Sequence, residues 1–208
     1  TPLYSSAASD VYKRQRLGLV IFDEVLSSSF PTYNTRSAYT TLPSSQKYIN
    51  PGLSGPFGPV TQYITAVEVM SQNNQENFAT KLNLLNTESF PLGSGVNFPE
   101  PSDMGIDRVV NFDIAGAFRE NVTKLIILIT DASSSGNDDT NNATDVSFAQ
   151  TLIEDCNEKG VKVLLMKDNG ESKQPLETIA TGTSGLVSNS FEPEAIITAI
   201  EDICTIVD

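Results

Sequence analysis

The sequence predicts an α/β fold: one doubly wound, mostly parallel sheet with helices on both faces. Three observations lead there. Strand-like and helix-like segments alternate along the second half of the chain, the order expected of parallel sheets. The strand candidates are short continuous apolar runs, the pattern of strands covered on both faces. Helix punctuation falls between them, with Gly160 closing one helical run and Pro193 opening another.

Taken in order, residues 1–15, TPLYSSAASDVYKRQ, do not fit the rest of the chain. The stretch SSAASDVYKRQ is similar to a peptide recurring at the ends of translated transcriptome assemblies, where adapter sequence is read as coding. It is set outside the fold as a scar. A single domain is then expected over 16–208. Arg16 to Phe22 reads as a buried strand. Residues 24–62, with Pro31, Pro43, Pro51, Pro56 and Pro59, read as a long surface loop of the kind that carries binding contacts. Tyr63 to Met70 is a β-rich segment expected at a sheet edge. Gln75 to Asn86 places Phe78, Ala79, Leu82 and Leu85 on one helical face. A Gly/Pro-rich loop from Gly93 then turns into a helix. Asp103 sits at its N-cap or first turn, where a carboxylate satisfies free N–H groups, and Ile106, Val109 and Val110 face the core. Lys124 to Thr130 is the strongest strand signal. Val146, Ala149, Leu152, Ile153 and Cys156 mark a helix ending at Gly160. Val161 to Met166 is a strand, Pro175 to Ala180 a short helix and Leu186 to Ser188 a brief strand. The last helix opens at Pro193 with Ile196, Ile197, Ile200, Ile203 and Val207 inward. No internal repeat and no second domain is visible.

With 208 residues the chain can build one sizeable core. It carries 26 acidic against 13 basic residues and no histidine. An excess of that size argues against nucleic acid and anionic membrane surfaces as partners, and no apolar run reaches the roughly 20 residues needed to cross a bilayer. Without histidine there is no Ser-His or Cys-His catalysis and no imidazole metal ligand. Two cysteines, Cys156 and Cys204, are too few for a structural zinc site. A bound metal would need oxygen ligands, which suits Mg²⁺, Ca²⁺ or Mn²⁺.

Ligands of open α/β sheets bind beyond the carboxyl ends of the strands. Asp131 follows the Lys124–Thr130 strand directly, and Glu100 and Asp103 open the helix that precedes it. The three carboxylates are expected on one rim, where like charges repel unless a cation lies between them. Taken singly, Asp103 serves equally as a helix cap and Asp131 as the first polar residue of a loop. Asp138 and Asp139 read as a solvated loop. No Walker motif, dinucleotide fingerprint or nucleophile elbow is present. Aspartyl-phosphate chemistry lacks its second acid, since Ser133 stands there. The chain is expected not to be an enzyme.

The order Arg16-Leu-Gly-Leu-Val-Ile-Phe22, a long insert, Asp103-Met-Gly-Ile-Asp107 and Lys124-Leu-Ile-Ile-Leu-Ile-Thr-Asp131 resembles a von Willebrand factor A domain, nearest to the A-like domain of integrin β subunits. Pro99-Glu100-Pro101-Ser102-Asp103-Met-Gly-Ile-Asp107 is similar to the acidic Asp-x-Pro-Glu-Gly-Gly-x-Asp stretch of that branch. Phe118 to Thr123 and Gly185 to Asn189 match as well. The resemblance covers Arg16 to Val207 and is diffuse except around Thr130-Asp131. It implies a metal site (MIDAS) for Mg²⁺ or Mn²⁺, with Asp131 as third-loop ligand, Asp103 as second-loop acid and Glu100 at a neighbouring Ca²⁺ position. An acidic group of a protein partner, in an adhesion ligand or the extracellular matrix, would complete the metal's sphere. Residues 24–62 would contact that partner, beside a possible second receptor subunit.

The departure is in the first metal loop. No Asp-x-Ser-x-Ser follows the first apolar run, Arg16–Phe22, so a third of the metal site and the central strand that carries it are expected to be missing. The resemblance further implies that Cys204 pairs with a cysteine upstream; two buried thiols are the other reading. Asn121-Val-Thr and Asn142-Ala-Thr are glycosylation acceptors in a secreted protein. The expectation is an extracellular or cell-surface ligand-binding module. The alternatives are a metal-independent scaffold of the same fold and an intracellular A domain assisting a chelatase.

Overall fold

The computed structural model describes residues 15–55, 57–85, 87, 89–90, 99–168, 170 and 172–205. The proposed scar at 1–15 lies outside them save for Gln15, as do the Gly93–Phe98 part of the loop and Val207.

The described residues form a mixed α/β structure with two three-stranded sheets, not one mostly parallel sheet. The first runs β1 (Leu19–Leu26), β3 (Gly58–Glu68), β2 (Lys47–Gly55) and is antiparallel throughout. The second runs β4 (Lys124–Ile129), β5 (Val161–Met166), β6 (Leu186–Ser188) and is parallel. The helices are α1 (Phe30–Tyr33), α2 (Ser37–Thr40), α3 (Gln75–Leu84), α4 (Ser102–Asn111), α5 (Ala143–Lys159), α6 (Leu176–Gly182) and α7 (Pro193–Thr205).

Residues 24–62 correct the loop expectation. They hold two short helices, strand β2 and the start of β3. Two of the prolines that suggested a loop sit where a sheet tolerates them: Pro51 lies at an irregularity in an outer strand and Pro59 near the start of β3. The segment Tyr63 to Met70 was expected at an edge, yet β3 is the middle strand. Its Val60 to Val67 are all buried because both neighbours and both faces cover it.

Side chains alternate along β1. Val20 and Phe22 join Ile64, Ala66 and Met104 on the face covered by α4, while Ile21 packs with Tyr39, Val67 and Phe90 on the other. In the parallel sheet, Val161, Val163 and Leu165 face α4, α5 and α6, and Leu164 and Met166 face α7. Helix α4 reaches both cores, giving Met104 to the first and Ile106 and Val110 to the second.

Two elements depart from the buried pattern. Strand β4, the most apolar, is an edge strand, and Ile127 and Ile129 are exposed, 39% and 55%. Helix α7 buries Ile203 while Ile196 and Ile200 pack partly, yet Ile197 points outward. Helix α5 shows both of its sequence signals. Asn142 and Asp145 form a reciprocal capping box, and Gly160 closes the helix in the left-handed conformation at φ 67°. Cys156 is fully buried and forms no disulfide, and burial, the main cause, raises its thiol to about 11. The side chain of Cys204 lies outside the described atoms. No helix is long and apolar enough to cross a membrane among the described residues.

Candidate functional site

Where β1 and β4 end and β3 begins, the chain gathers acids around the loop Asp131 to Asp139. Period-2 alternation places Glu24 on the same face of β1 as Phe22, turned toward α4 and this loop. In the register Glu24 stands opposite Gln62, and Gln62 opposite Asn50. Gln62 Nε2 donates to Ser135 Oγ at 2.9 Å and to the Asp138 carbonyl at 2.6 Å, and Asn50 Nδ2 donates to Asn137 Oδ1 at 3.0 Å. These bonds fasten the antiparallel sheet to the loop after β4.

Glu100 is fastened to the same loop by its backbone. Its N–H donates to the Ser133 carbonyl and its carbonyl accepts from Ser135 N–H, both at 2.9 Å. Asp103 approaches from the other side. It lies in the first turn of α4, one of the two positions expected, though Pro101 rather than Asp103 is the N-cap. Its Oδ1 accepts from Met104 N–H at 2.8 Å and Gly136 N–H at 3.1 Å. Gly136 has φ 59°, and a Cβ there would collide with the Asp145 carboxylate, so glycine is required for this close approach.

The electrostatics are those of acids crowded away from water. Burial raises Glu24 to about 9, helped by contact with Asp139 and by the charges of Asp139, Glu100 and Asp23. Burial also raises Glu100 to about 9, with Asp23, Asp131 and Asp139 adding repulsion. Asp103 rises to about 7, again chiefly through burial, while its backbone hydrogen bonds pull the other way. Oε2 of Glu100 and the hydroxyl of Ser102 are buried without a hydrogen-bond partner among the described residues.

The three carboxylates expected from sequence are thus placed unequally. Glu100 and Asp131 lie close enough to act on each other, with Asp131 exposed. Asp103, fully buried, lies beyond Gly136 and feels Asp145. Sequence reading missed Glu24 and Asp23, and took Asp139 as solvated where it is 3% exposed. A signal for Asp23 was present: Phe22-Asp23 ends an apolar run in the same way as Thr130-Asp131. Asp23 is held by Tyr63, whose hydroxyl donates to Oδ2 at 3.0 Å. All-oxygen donors with orphaned buried atoms suit a hard cation chemically. Among the described residues, however, no three acids are grouped so as to hold a metal ion by themselves.

No protein-family model matches the chain, and no curated protein matches it.

Proposed function

We propose that the protein is a non-catalytic, divalent-cation-assisted ligand-binding module of the von Willebrand A type, working at the cell surface or outside the cell. The observation that carries the reading is the carboxyl rim. Glu24, Glu100, Asp131 and Asp139 crowd the ends of β1 and β4, and Oε2 of Glu100 is buried without a hydrogen-bond partner among the described residues. Repulsion of this kind is relieved when a cation sits between the acids. Mg²⁺ or Mn²⁺ would take ligands from Glu100 and Asp131, with Asp103 behind Gly136 and Glu24 as a further oxygen donor, and Ca²⁺ suits an adjacent position. Bound there, the ion would offer Lewis acidity to an acidic group of a protein ligand. The set is incomplete on its own, which agrees with the lack of an Asp-x-Ser-x-Ser after β1. Among the described residues β1 and β4 each pair on one side alone, which supports the same reading, since a further strand could pair there and α4 already covers both sheets.

The test is thermal unfolding of the chain with Mg²⁺, Mn²⁺ or Ca²⁺. A site of millimolar affinity in 10 mM Mn²⁺ adds about 1.4 kcal/mol, a rise of a few degrees in Tm. EDTA should reverse it and Asp131→Ala should remove it. A Tm indifferent to all three ions, or a shift that survives Asp131→Ala, would leave the metal-independent scaffold as the better account.

A further inference from the structure

We propose that an open cavity of about 360 Å³ beyond the carboxyl ends of β5 and β6 is a second binding site, taking a small organic carboxylate. Lys167 directly follows β5 and Asn189 directly follows β6, so both stand on the edge where parallel sheets bind their ligands. Gln174, Glu177, Thr178, Thr181 and Val187 complete the wall, and the volume lies in the range of small-molecule sites.

The chemistry rests on Lys167. It is 7% exposed, and a buried ammonium needs acceptors for its three N–H donors. Glu177 Oε1 meets it at 3.3 Å. That carboxylate is already well supplied. Its Oε1 accepts from Lys173 N–H at 3.0 Å, and its Oε2 accepts from Gln174 Nε2 at 3.1 Å and Ser172 Oγ at 3.2 Å. Lys167 shares that acid with three other donors, and no second acceptor meets its ammonium among the described residues. The Thr178 hydroxyl spends its proton on Gln174 Oε1 at 2.6 Å, and the exposed Asn189 stands at the mouth. Among the described residues the lining therefore has ammonium donor capacity to spare and one apolar surface, Val187. A carboxylate on a short apolar body supplies what is missing. The protein's net charge of −13 repels anions at a distance, so affinity must come from this local cation rather than from general attraction.

The site is separate from the acidic rim but adjoins it. Asn141 Nδ2 donates both to the Ser134 carbonyl of the rim loop at 2.9 Å and to the Gln174 carbonyl of the cavity wall at 3.0 Å.

The experiment is an amide NMR titration of the ¹⁵N-labelled chain with butyrate at neutral pH, against equal additions of sodium chloride and of butyramide. Saturable shifts are expected at Lys167, Gln174, Thr178 and Asn189 with butyrate alone. Lys167→Met should weaken binding by about tenfold or more, the scale of a charge-assisted hydrogen bond. Asn189→Ala, an exposed position, should weaken it without disturbing the rest of the spectrum. Shifts no larger than those with chloride, equal binding of butyramide, or full affinity in Lys167→Met would each overturn the proposal. Should Lys167→Met fail to fold, the butyramide comparison and Asn189→Ala decide alone.

Discussion

Glu24→Gln isolates the consequence of burying an acid among acids. The carboxyl of Glu24 has an ordinary value of 4.5, which burial and its acidic neighbours raise to about 9. In the unfolded chain it ionises above pH 4.5, whereas in the folded protein it keeps its proton to about 9. Between those limits the native state binds the extra proton, so stability is greatest at the acid end and falls as pH rises through the window. At pH 7.5, three pH units above the ordinary value, the cost reaches about 4 kcal/mol at 1.36 kcal/mol per unit. Glu24 and Glu100 share one repulsion, and the loop can relax, so about half that figure is the expected measurement. Glutamine keeps the shape, removes the charge and brings N–H donors toward Asp139. The variant should therefore be more stable than the parent by about 2 kcal/mol at pH 7.5, a Tm rise of about 4–8 °C for a domain of this size, and nearly equal to it at pH 4.5. Urea unfolding followed by circular dichroism at the two pH values measures both. Destabilisation at pH 7.5, or the same offset at both values, would refute the reasoning.

Two further outcomes are expected from other features. Asn142→Ala removes one half of the capping box at the start of α5 and should lower stability by about 1 kcal/mol in the same urea assay, without changing the slope of the transition. Ile129→Lys places a charge on the exposed edge strand β4 and should reduce concentration-dependent self-association, read by light scattering, while leaving the melting temperature within about 1 °C, because the replaced side chain is mostly in water already.

Much of the second half of the molecule was legible because its signals are local. Val161–Met166 and Leu186–Ser188 form strands over the residues expected, and Gly160 and Pro193 mark the helix end and start that they announce. Pairing was not legible. An apolar run such as Arg16–Phe22 says that a strand is buried but not which neighbour it takes, and here the partner is antiparallel β3. Strand β2 was hidden because Asn50, Pro51 and Gly52 are poor strand formers on an outer strand, held in place by their pairing with β3. Of the rim, Asp131, Asp103 and Glu100 could be placed by the strand-end rule, since each adjoins a recognisable element. Glu24 could not, because its burial depends on β1 running on past Phe22 to Leu26. Asp139 looked like solvent-facing loop because nothing local reveals that the β2–β3 hairpin lies against it.

The separation of the two sheets bears on how the molecule holds together as it unfolds. Each sheet is drawn from one contiguous stretch of chain, 19–68 and 124–188, and no ladder of backbone hydrogen bonds runs from one to the other among the described residues. Cooperativity between the halves then rests on local contacts: Phe22 reaching across, the Gln62 side chain and the Glu100 backbone bonded to the loop after β4, and above all the short helix α4, with Met104 in one core and Ile106 and Val110 in the other. Ten residues of helix thus decide whether two locally complete units melt together or apart.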